Sequence, residues 1–144
     1  MVPTAGVAVS LLTDGGGARG LYAALCRELH ADLADVTTPA PFAPAAEPPT
    51  VDLARLLGTY GREGVVVTVA EQDGAGHAVY EFVDGTTDFS QPLDFDPLPV
   101  TESVFAGTGV GAAVSEDHTP VVFSTPRDGT GCVCIGMRRG PKVA

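Results

Sequence analysis

Apolar residues along this chain keep two different periods, and the change from one to the other divides the sequence. Leu21, Leu25, Leu29 and Leu33 recur every four residues, flanked by Ala18, Tyr22, Cys26 and Val36, while Arg19, Arg27, Glu28, Asp32 and Asp35 fall on the other side. This spacing predicts an amphipathic helix over residues 18–35 whose apolar stripe needs a partner surface. At 1.5 Å per residue it is roughly 27 Å long. Upstream, the run Val7-Ala8-Val9-Ser10-Leu11-Leu12 predicts a strand over residues 5–12, and Asp14 to Gly17 a turn.

After residue 50 the period falls to two. Val65, Val67 and Val69 alternate with Val66, Thr68 and Ala70; Ala78, Tyr80 and Phe82 alternate with His77, Val79 and Glu81. Shorter runs follow at Leu93–Leu98 and Val104-Phe105. The runs Pro120–Ser124 and Cys132–Met137 then flank a turn at Pro126–Gly129. Short strands separated by Gly, Asp and Pro predict an antiparallel all-β region of six to eight strands, which hides its edges by curling into a barrel or sandwich. Pro39, Pro41, Pro44, Pro48 and Pro49 lie between the two rhythms and block helix, so residues 37–50 are expected to be a semi-rigid linker. The expected organisation is residues 1–36, linker 37–50, and β-domain 51–144, mainly β and α+β overall.

Composition narrows the function. The 144 residues suit one domain, or a fragment plus one small domain. Eighteen acidic residues against eight Lys and Arg give a formal charge of −10, a surface that repels nucleic acid and anionic lipid. There is no Asn and no Trp, and Lys142 is the single Lys. Three Cys do not make a disulfide scaffold. Cys132 and Cys134, two apart in a strand, share a face and are expected to act, with Cys26, as small apolar residues. With no basic leader and no long apolar run, the chain as given is expected to be cytoplasmic, with no membrane partner.

The cluster Asp14-Gly15-Gly16-Gly17-Ala18-Arg19-Gly20 carries the strongest local chemistry. Backbone N–H groups of Gly15, Gly16 and Gly17, between a strand and a helix, suit an oxyanion. The cluster resembles the oxyanion loop of patatin-like acyl hydrolases. That chemistry needs a nucleophile on a Gly-x-Ser-x-Gly elbow. Ser10, Ser90, Ser103, Ser115 and Ser124 all lie outside such a setting, although Asp73-Gly74-Ala75 mimics the family's carboxylate motif. His30, His77 and His118 lack metal-ligand spacing, and Cys132-x-Cys134 lacks further ligands. The six carboxylates from Glu81 to Glu102 suggest a solvated loop and edge. No metal, no cofactor and no catalytic residue is expected.

A second resemblance runs over nearly the whole chain. Val9-Ser10-Leu11-Leu12-Thr13-Asp14-Gly15-Gly16, with Leu21-Tyr22 and the helix, resembles the final strand and C-terminal helix of β-lactamase-related serine hydrolases of the class C and penicillin-binding-protein kind. Pro39–Pro44, Val51-Asp52-Leu53, Leu57-Gly58-Thr59-Tyr60 and the ending Arg138–Val143 resemble the lipocalin-like accessory barrel found on many of them. That family's Ser-x-x-Lys, Tyr-x-Asn and Lys-Thr-Gly or His-x-Gly motifs are absent here. The resemblance implies a noncatalytic C-terminal accessory region, structural or substrate-gating, whose partner is an upstream catalytic domain or another copy bound through residues 5–35. A lipocalin-like barrel also implies an alternative: an apolar-ligand cavity lined by inward-facing Tyr80, Phe82, Phe123, Ile135 and Met137.

Overall fold

A computed structural model describes residues 1–14, 18–89, 91–108 and 118–144. The chain forms two compact units, Met1–Pro41 and Phe42–Ala144. Among the described residues it is mainly β, with one α-helix, and that helix is not long and apolar enough to cross a membrane.

In the first unit a 3-10 turn over Pro3–Ala5 is closed by Gly6 in the left-handed region, φ 66°. Val2 and Val7 bridge around it, the Val2 N–H donating to Val7 O at 2.7 Å. Residues 8–13 have no regular secondary structure, so the strand expected over residues 5–12 does not form. A β-branched run has the propensity, but a strand is held by a neighbour's ladder. Beyond the local Val2–Val7 bridge, no described strand pairs with this segment. Helix α1 (Ala18–Ala34) lies where the four-residue period placed it. Asp35 ends it at φ 50°, its N–H donating to Ala31 O at 3.2 Å. Cys26 is buried and Leu25 and Leu29 half-buried. Leu21, Tyr22 and Leu33 remain 56%, 44% and 61% exposed.

The second unit opens with a 3-10 turn at Leu53–Arg55, where the Ala54 N–H donates to Asp52 Oδ1 at 3.2 Å as an N-cap. Nine strands follow among the described residues. β1 (Gly58–Arg62), β2 (Val65–Gln72), β3 (Ala75–Phe82) and β4 (Leu93–Phe95) make one antiparallel sheet in chain order. β5 (Leu98–Pro99), β6 (Val104–Thr108), β7 (His118–Ser124), β8 (Cys132–Ile135) and β9 (Arg138–Pro141) make the other. The count exceeds the expected six to eight because the run Leu93–Leu98 divides and Arg138–Pro141 adds a strand beyond the run Cys132–Met137. Asp96-Pro97 interrupts Leu93–Leu98, and Gly136-Met137 turns the chain between β8 and β9. Both Gly136 and Met137 have positive φ, 60° and 64°, as a two-residue type I′ hairpin turn requires. Asp73-Gly74 does the same between β2 and β3, with φ 52° and 80°. The pair that mimicked a catalytic carboxylate motif is therefore a hairpin turn.

The two sheets share one core. Tyr60, Val65, Val67, Val69, Ala78, Tyr80 and Phe95 come from the first, and Phe105, Val121, Phe123, Val133 and Ile135 from the second. The centre is aromatic. Phe105 meets Phe123 edge to face at 5.4 Å, and Phe123 meets Tyr60 of the other sheet at 5.8 Å. The sheets also meet along the first strand. Val143 N–H donates to Thr59 O at 2.7 Å and Thr59 N–H to Ala144 O at 2.8 Å. Glycine permits this approach. A Cβ on Gly140 would rest in ordinary contact, 3.5 Å from the Gly61 backbone, whereas Gly58 has no room for one. At Gly58, φ 134°, a Cβ would fall 2.5 Å from Lys142 Cε and run into Ala144 O. On the far side Phe95 of β4 packs over Gly107 of β6, leaving no space for a Cβ there.

Tyr60 is 2% exposed and donates its phenolic proton to Leu56 O at 2.7 Å. Burial raises its pKa above 10, with the Cys132 thiol adding to the shift. The folded chain therefore holds this proton to higher pH than the unfolded chain does. The corresponding stability is fully present below about pH 10, the free phenol value, and is lost as pH rises through the folded value. Tyr60→Phe should lower stability at pH 7 by about 1 kcal/mol, the net worth of one hydrogen bond. In urea denaturation the gap between wild type and variant should narrow above pH 10. A gap that widens there would contradict the assignment.

Candidate functional site

The five residues expected to line a ligand cavity separate into three groups. Tyr80, Phe123 and Ile135 are buried on the shared core face. Phe82 is half-buried and stands edge-on to Tyr80 at 5.4 Å. Met137 is 99% exposed, because it occupies the β8–β9 turn rather than a continuing strand. The space bounded by Tyr60, Val67, Tyr80, Val133 and Ile135 is about 10 Å³. That is room for about one water, of roughly 10–15 Å³ by the same measure. The bulky side chains of Tyr60, Tyr80, Val133 and Ile135 fill this space, and Met137 lies outside it.

The opposite end of the core opens into a cleft of about 390 Å³. Ser103, Ser124 and Cys132 line it beside Leu56, Tyr60 and Phe123, and Glu102 and Arg55 are the charged residues of its lining. The Cys132 thiol donates to Thr130 O at 3.5 Å. Among the described residues no hydrogen bond joins Glu102 to Ser103, Ser124 or Cys132, and a hydroxyl or thiol not bonded to a base is a weak nucleophile. Gly15, Gly16 and Gly17, together with Ser90 and Ser115, lie outside the described residues. Ser10 sits exposed in the irregular N-terminal segment. Cys26, Cys132 and Cys134 are free thiols. Among the described residues no group of three His, Cys, Asp or Glu side chains could hold a metal ion.

Two polar constellations escaped the sequence because only strand register creates them. His77 of β3 stands between two acids of the carboxylate-rich stretch. Its Nδ1 lies 2.9 Å from Asp96 Oδ1, and its Nε2 lies 3.7 Å from Asp94 Oδ1. The second constellation lies at the end of the core away from the cleft. Arg62 pairs with buried Val65 across the β1–β2 hairpin, and Arg138 pairs with buried Ile135 across the β8–β9 hairpin. Paired residues share a face, so both arginines fall on the core face at one end. Arg62 Nη2 donates to the Tyr80 phenolic oxygen at 2.8 Å.

No protein-family model and no solved structure matches the chain. One stretch is similar to penicillin-binding protein 4 of Amycolatopsis lactamdurans, 52% identical over 64 residues. The stretch is 44% of this chain but only 17% of that protein, and it supports a shared origin with a penicillin-binding protein.

Proposed function

We propose that the chain is a noncatalytic accessory region of a serine hydrolase related to penicillin-binding proteins, with a structural or substrate-gating role. The observation that carries this is the 52% identity to a penicillin-binding protein in a chain without Asn and without Ser-x-x-Lys. Acylation by that route needs a nucleophile and a base on one surface, and Lys142 has no Ser three positions before it. In this reading residues 1–36 belong with the hydrolase domain, residues 37–50 are a linker, and residues 51–144 are a lipocalin-like barrel. The shared core and the contacts of β1 with residues 142–144 support closure of the two sheets.

The exposed Leu21, Tyr22 and Leu33 of α1 suit burial against the hydrolase domain or against a second copy. For the chain as given, self-association through residues 5–35 follows. Analytical ultracentrifugation should show a dimer that Leu21→Ser with Leu33→Ser dissociates. A clean monomer at high concentration contradicts it. The noncatalytic reading is tested with a fluorescent penicillin and with nitrocefin, using the intact chain. No covalent adduct and no turnover above buffer are expected. An adduct on any Ser or Cys overturns the reading.

A further inference from the structure

We infer that the end of the core between β1, β3 and β9 is a binding site for a small carboxylate. Arg62, Arg138 and Tyr80 line one pocket whose floor is Val65, Val133 and Ile135. The polar groups presented there are donors. Arg62 spends one N–H on the Tyr80 oxygen, and because that oxygen accepts, the phenolic proton stays free to donate outward. Among the described residues no acceptor meets the remaining guanidinium N–H groups of Arg62 and Arg138. Among the described residues neither arginine lies within ion-pair distance of a carboxylate, whereas exposed Arg55 has Asp52 at 3.4 Å.

This arrangement is unexpected in a chain with eighteen acidic and eight basic residues. Half-buried Arg62, beside an apolar floor, leaves charge that an anion would compensate. The planar fork of a guanidinium matches the two oxygens of a carboxylate. The valine and isoleucine floor suits a methyl group, where a tetrahedral oxyanion would turn an oxygen onto hydrocarbon. The whole pocket is about 10 Å³, room for about one water or one methyl group, so a longer chain has nowhere to go. The ligand is therefore a carboxylate carrying one carbon beyond the head, which leaves the carboxylate itself at the mouth between the arginines. For so few atoms, and against a net charge of −10, Kd should be on the order of 1 mM.

Titration of the isotope-labelled intact chain with acetate, followed by amide NMR, tests this. Saturable shifts are expected at Tyr80, Val133 and Ile135. Arg138→Gln should weaken binding at least tenfold, and Arg62→Gln likewise. Arg139→Gln, which pairs with Cys134 on the other face, should leave binding unchanged. Arg138 is exposed, so its variant carries the test if Arg62→Gln unfolds. Shifts that never saturate, or saturable binding that Arg138→Gln leaves intact, overturn the site. Inorganic phosphate moving the same amides with equal affinity overturns the carboxylate assignment.

Discussion

Tyr60 belongs to one sheet and Phe123 to the other, and their edge-to-face contact is the point at which two strand layers become one core. Phe105 continues the contact on the far side of Phe123. Each such pair contributes about 0.5–1.5 kcal/mol beyond the area it buries. The rings can meet only because the backbones around them come close. Gly58 leaves room for the last residues, and Gly107 accepts the ring of Phe95. With nine short strands, several of two to five residues, neither sheet has much ladder of its own. Burial of both inner faces against each other is what holds them.

That constraint decides where chemistry can occur. A core filled by Tyr60, Tyr80, Phe105 and Phe123 gives up its interior, so polar groups collect at the two ends. One end carries a cleft with hydroxyls, a thiol and the Glu102 carboxylate; the other carries two arginines and a phenol. The stretch similar to a penicillin-binding protein is 44% of this chain and 17% of that protein.

Much of this architecture is legible in the residues themselves, wherever the signal is local. The Leu21-to-Leu33 period yields α1, and the alternation around Val67 and Tyr80 yields β2 and β3. Information fails where the deciding partner is distant. Val7–Leu12 has the composition of a strand and finds no partner ladder. Met137 looks like the end of a strand until the left-handed backbone at Gly136 and Met137 turns it outward. His77 meets Asp96 nineteen residues away. Arg62 and Arg138 share an end only through the pairing of β1 and β9 with their hairpin partners. No short-range pattern encodes such neighbours, because a register is set by the whole sheet.

If the aromatic contact and its glycine crossings join the sheets, the β-unit opens as one body. Native-state hydrogen exchange reads this directly at Val67 and Tyr80 in the first sheet and at Val121 and Val133 in the second. The account predicts one common opening free energy for all four amides, lowered equally in both sheets by Gly58→Ala. Separate opening free energies for the two sheets, or a Gly58→Ala effect confined to the first, would contradict it.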